Sequence, residues 1–152
     1  MLVGVVDTGR VLAESNAGKT VAKELQRRGQ SWQEQLAVTE EQIEQDRKKH
    51  KDQSAKMAPK ERFALELKIR LGGETVQQMQ KRAQIELEGY SEFYQAVLSQ
   101  TLAGVLDALG KEQAYSLILT GPNAQMPFVG EKNDITIEAI KRFDGAFKMD
   151  QI

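Results

Sequence analysis

Residues 13–20, Ala-Glu-Ser-Asn-Ala-Gly-Lys-Thr, have the spacing of a phosphate-binding loop, with alanine where the first glycine belongs. Such a loop cradles phosphate with successive backbone N–H groups and a lysine, at a turn from strand to helix. Three features count against that chemistry. A helical turn, Arg10–Glu14, stands between the strand-like Leu2–Val6 and the loop, and the first glycine is missing. The later apolar run Leu117-Ile118-Leu119 leads into Thr120 rather than an acid that could hold magnesium. The favoured reading is a helix break followed by a new helix start, with no cofactor. His50 is the only histidine and has Asp46 and Asp52 nearby in the chain. A metal needs several convergent ligands, and a catalytic histidine needs a partnered nucleophile in a pocket. His50 is therefore expected to be a half-solvated helix position, with no metal. No paired carboxylates and no nucleophile–base arrangement stand out, so the chain is not expected to be an enzyme.

Charge and aromatic placement offer binding rather than catalysis. From Arg47 to Arg62 the positives are Arg47, Lys48, Lys49, Lys51, Lys56, Lys60 and Arg62, against only Asp52 and Glu61. Two readings stay open: a solvated helix end, or a soft contact for acidic client segments or anionic lipid headgroups. Trp32, Tyr90, Phe93 and Tyr94 form a second group. Packing between helices is their default role, and facing a client is the alternative.

The elements that must carry these residues follow from periodicity. The stretch from Lys19 to Gly110 is heptad-patterned and contains a single proline, Pro59. A long amphipathic run with one central break is expected to fold back as a helical hairpin turning near residues 57–59. At 1.5 Å per residue each arm would reach roughly 60 Å. Ala22, Leu25, Gly29, Trp32, Leu36, Thr39, Ile43, Asp46 and His50 step by threes and fours along the first arm, as a coiled-coil seam does. Leu65, Ile69, Gly72, Val76, Met79, Ala83, Glu86 or Leu87, and Tyr90 do so along the second. Folding about the turn sets Leu25 against Tyr90, Trp32 against Ala83, Leu36 against Met79 and Ile43 against Gly72. Gly72-Gly73 interrupts the returning helix, at about 1 kcal/mol per glycine relative to alanine, and is expected to act as an arm hinge.

The remainder, 1–18 plus 111–152, is expected to form a small β-rich body from which the 19–110 hairpin projects, an α+β fold. Its strands are Leu2–Val6, including Val3 and Val5, then Tyr115–Leu119, including Leu117 and Leu119, with Met126–Val129, including Phe128, as a third. Gly121-Pro122-Asn123 is a turn, a last helix runs from Ile137 to about Phe143 behind Asp134-Ile135-Thr136, and the tail from Gly145 to Ile152 is expected to fray.

Composition narrows the classes. With 152 residues, 28% of them charged, and a net charge of −1, the chain has no basic field favouring nucleic acid. It has no cysteine, which excludes disulfide and thiol chemistry. No secretory signal precedes the first strand, so an exported protein would have lost its signal by processing.

In order and spacing these parts resemble the Skp/OmpH family of periplasmic chaperones. The residues that carry the likeness are Val3-Gly4-Val5-Val6-Asp7-Thr8 with Arg10-Val11-Leu12, Glu14-Ser15 with Ala17-Gly18-Lys19, Tyr115–Leu119, and Asp134-Ile135-Thr136 leading into Glu138-Ala139-Ile140. The resemblance implies a homotrimer with a shared β-barrel body and three helical tentacles, located in the periplasm. It also implies an ATP-independent holdase that keeps unfolded outer-membrane proteins soluble between its arms. By matching position, Leu2–Val6, Tyr115–Leu119 and Phe128-Val129 would build the trimer's sheet. The basic tip fits the family habit, whereas the isoelectric point near 5.9 departs from the strongly basic best-known members. The competing expectations are a coiled-coil adaptor that docks one specific partner, and a nucleotide-dependent protein using Gly18-Lys19-Thr20.

Overall fold

The computed structural model describes residues 1–122 and 125–152. In chain order the elements are β1 (Val3–Asp7), α1 (Thr8–Glu14), α2 (Asn16–Gln53), a short 3-10 turn (Ser54–Lys56), α3 (Pro59–Glu112), β2 (Leu117–Gly121), α4 (Thr136–Ala146) and a closing 3-10 turn (Met149–Gln151). They form two compact units, one of Met1–Glu24 with Ser91–Ile152 and one of Leu25–Tyr90. The chain is mostly helical, with a two-stranded parallel sheet.

In the first unit β1 pairs with β2 in the register Val3–Leu117 to Asp7–Gly121. The opposite edge of β1 is occupied as well: Val5 N donates to the Asn133 carbonyl at 2.7 Å and Ile135 N to the Val5 carbonyl at 3.0 Å. That second pairing comes from the segment read in the sequence only as a helix cap. The N-cap of α4 is Ile135, and Asp134, one residue before it, accepts from Thr136 N at 3.0 Å. The Thr136 hydroxyl in turn accepts from Asp7 N at 3.0 Å, tying the end of β1 to the start of α4. Val6, Val11, Leu109, Ala139 and Phe143 are fully buried in this unit. A fully buried phenylalanine alone contributes about 2–3 kcal/mol.

Two expectations for this unit are corrected. Met126–Val129 forms no strand, and Phe128 is 86% exposed; Pro127 has no N–H to give a ladder. Phe147 is buried with its ring 6.2 Å from that of Phe143, so the end of the chain is docked past Gly145 rather than frayed. Of the expected turn after β2, Asn123 lies outside the described residues.

In the second unit α2 and α3 pack antiparallel. Pro59 is the first residue of α3, where its fixed φ suits a helix start and its missing N–H costs nothing. The seam register is the expected one. Gly72 faces Ile43 so closely that a Cβ there would lie 2.7 Å from Ile43 Cγ1. Thr39 Oγ1 to Met79 Sδ at 3.6 Å and Arg28 to Glu86 at 3.3 Å continue the same alignment. Ile43, Asp46, Leu65 and Ala83 are buried along it.

Candidate functional site

The basic cluster is carried by the turn between the two long helices. Arg47, Lys48, Lys49 and Lys51 lie in the last turns of α2, Lys56 in the 3-10 turn, and Lys60 and Arg62 in the first turn of α3. All seven are exposed. Cations at the end of α2 suit the negative pole of its dipole, while Lys60 and Arg62 at the start of α3 do not, and Glu61 partly offsets them. Behind the cluster the seam turns polar. Asp46, nearly buried, accepts from Lys68 at 2.8 Å and from Gln42 at 3.3 Å. His50 is half-buried and hydrogen-bonded through Nε2 to Glu66 at 3.0 Å, a structural position with a partner.

The aromatic residues differ in exposure. Tyr94 is buried, and the Arg28 guanidinium covers the Tyr90 ring at 3.5 Å from its centroid. Trp32 is half-buried, and Phe93 is the exposed one at 47%. A different apolar row escaped the sequence reading. Phe63, Leu67 and Leu71 lie four residues apart along α3 and are 64%, 40% and 52% exposed. Their spacing was visible, but it is offset from the seam positions that drew the reading. Gly72 and Gly73 both sit within the continuous helix α3.

Among the described residues β2 is an edge strand, with Leu117 and Leu119 half-exposed beside β1, which carries Val3 and Val5. An edge of this kind presents unpaired backbone groups that invite another strand.

The loop with phosphate-binding spacing is used differently. α1 stops at Ser15, and α2 begins at once. Its first amides are already engaged: Ala17 N donates to Asp144 Oδ1 at 3.0 Å, Gly18 N to Ser15 Oγ at 3.0 Å, and Lys19 N to the Ser15 carbonyl at 3.1 Å. Gly18 is required because a Cβ there would fall 1.8 Å from the Leu12 carbonyl oxygen. The loop is a tight junction between two helices, and its donors face inward. Among the described residues no helix is long and apolar enough to cross a membrane.

Comparison with known proteins agrees with this architecture. No curated protein matches the chain. Among solved structures it is similar to a protein from Caulobacter crescentus CB15 described as a candidate outer membrane chaperone (OmpH-like), with a TM-score of 0.86 and 16% identity, covering 99% of this chain and 92% of that one. At that identity the likeness establishes the fold. The model of the family described as "Outer membrane protein (OmpH-like)" matches residues 2–143. The chain therefore belongs to the OmpH-like outer membrane protein family.

Proposed function

We propose that the protein is a chaperone of the cell envelope, an ATP-independent holdase that binds unfolded outer-membrane proteins against its helical hairpin and keeps them from aggregating. The observation that carries this reading is the exposed apolar row Phe63, Leu67 and Leu71 beside the basic residues of the hairpin turn, in a chain of the OmpH-like family. Soluble surfaces seldom keep such a row without a binding role. A holdase binds many sequences weakly, which suits shallow contacts repeated along a long helix. The family name and the Caulobacter relative's description support a periplasmic location and outer-membrane clients.

The edge strand β2 supports a homotrimer, with Leu117 and Leu119 covered by strands of other copies. The lysines and arginines of the turn support a secondary contact with anionic lipid. Mass by light scattering tests assembly, and a monomer at micromolar concentration refutes the trimer. Flotation with vesicles containing anionic lipid tests the membrane contact, and equal recovery with neutral vesicles refutes it. The function itself is tested by diluting a urea-unfolded outer-membrane barrel into a stoichiometric amount of the protein and following light scattering. Suppressed scattering without nucleotide is expected. Undiminished aggregation refutes the holdase and favours an adaptor that docks one specific partner.

A further inference from the structure

The two faces of the hairpin differ, and the difference starts at the glycine pair. Ile43, buried in the seam against Gly72, lines a groove on either side of it. One groove, of about 440 Å³, is lined by Ile43, Gly72, Leu67, Leu71 and Ala64, with the Asp46–Lys68 ion pair at its end. It shares Asp46, Ala64 and Lys68 with a second depression of about 800 Å³ towards the turn, where Lys49, Lys56 and Met57 join the lining. The two adjoin at these shared residues to give a shallow channel, apolar near Gly72 and basic near the turn. Asp46 is matched by Lys68. Lys49 and Lys56 therefore face only Glu61 among the carboxylates of the lining. The groove on the other face runs over Ile43 and Val76 but is rimmed by Glu40, Glu41 and Glu44, with Arg47 alone opposing them.

Resting on the chaperone reading, we propose that the Gly72 channel is the client-binding face of the hairpin. Its occupant is an extended segment of unfolded polypeptide bearing a bulky apolar side chain and, further along, a carboxylate. The apolar side chain lies on Leu67, Leu71 and Gly72, and the carboxylate meets Lys49 and Lys56. Charge complementarity selects this occupant and this face, because the same carboxylate on the other face would meet the glutamates. Ile43 and Gln53 are ten residues apart on α2, which is about 15 Å of helix. An extended strand covers that distance in roughly four or five residues, which sets the spacing between the two anchors.

The probe is a fluorescein-labelled Gly/Ser peptide with one tryptophan and a Glu-Glu pair five residues on, titrated against the full chain by anisotropy. Leu71→Gln, at a half-exposed position, and the double variant Lys49→Glu/Lys56→Glu should each weaken binding by about fivefold or more. The other-face variant Glu41→Gln/Glu44→Gln should stay within about twofold, and exchanging Glu-Glu for Lys-Lys in the peptide should weaken binding as the lysine changes do. No binding to the wild type, no loss with Leu71→Gln, or an equal loss from the other face overturns the proposal. The barrel aggregation assay separates this from the broader reading. Suppression that survives both channel variants overturns the channel and leaves the holdase standing. Absent suppression by the wild type overturns the holdase, while the peptide titration still judges the channel.

Discussion

Neighbouring glycines on one helix should respond to alanine with opposite signs. At Gly73 an added Cβ meets nothing within 4 Å, so Gly73→Ala changes only helix propensity and should stabilise by about 1 kcal/mol. For a chain of this size that is a rise of about 2–4 °C in Tm. At Gly72 the same gain is opposed by contacts at 2.7 Å to Ile43 Cγ1 and 3.1 Å to Cδ1. Over-packing of this kind costs about 1–3 kcal/mol, so Gly72→Ala should be neutral to about 2 kcal/mol destabilising. Removing the obstruction should restore the gain. In an Ile43→Ala background, itself costing about 2–5 kcal/mol, Gly72→Ala should again stabilise by about 1 kcal/mol, and the difference between backgrounds is the coupling of the pair. Urea unfolding followed by helical circular dichroism supplies the values. Protein concentration must be held constant, since any assembly shifts apparent stability by mass action. If Gly72→Ala stabilises the wild-type background as much as Gly73→Ala does, close helix approach is not the reason for glycine at 72.

Ala114 follows α3 with a φ of 55°, a conformation that costs a non-glycine residue about 1–2 kcal/mol. Part of that is returned as added chain entropy on mutation, so Ala114→Gly should raise stability by about 0.5–1 kcal/mol in thermal unfolding; a loss would refute the strain. Gly18→Ala must displace the Leu12 carbonyl, a backbone obstacle, and should cost about 3 kcal/mol or more in urea unfolding, whereas a phosphate-loop role would leave folding intact. Asp134 is held below the ordinary carboxylate range first by hydrogen bonds from Thr136 and then by the nearby charge of Arg10, against some desolvation. A carboxyl depressed in the folded state adds stability that is present above its unfolded pKa and is lost as pH falls through the folded value. Asp134→Asn should therefore flatten the decline in urea midpoint below about pH 4, and an unchanged acid limb would show that Asp134 plays no part in it. If the glycine pair is a joint, Gly72→Ala/Gly73→Ala should alter the protein's small-angle scattering profile, and identical profiles argue against a hinge.

How much of this was legible in the sequence depended on whether the signal was periodic. The seam repeats by threes and fours over many turns, so its register could be set by aligning large residues against small ones across Pro59, and Gly72 against Ile43 is what the structure shows. The second pairing of β1 was not legible, because Asn133-Asp134-Ile135 is too short and too polar to read as a strand. It is held by two backbone bonds and by Asn133 Nδ2 donating to the Val3 carbonyl at 2.7 Å. The strand read over Met126–Val129 failed for the opposite reason. Its apolar residues were present without a ladder to join. The Phe63, Leu67 and Leu71 row was periodic as well, yet its spacing does not say whether a helix face is covered.

The distribution of charge removes an apparent conflict with the proposed client-binding surface. The whole chain carries −1, and a uniform field that weak would steer nothing. Between Arg47 and Leu71, however, the basic residues number nine and the acidic ones three, so this stretch carries six positive charges and the rest of the chain seven negative. At physiological salt a charge is felt over about 8 Å, which is a few residues of helix. A carboxylate at Lys49 and Lys56 therefore responds to the local excess, and the glutamates at 40, 41 and 44, on the other face of the hairpin, decide only what that face repels. Raising salt should weaken binding of the Glu-Glu peptide steeply and of a peptide with the glutamates replaced by glutamine only slightly. An equal salt response from the two peptides would mean that the lysines around the turn only keep the surface solvated.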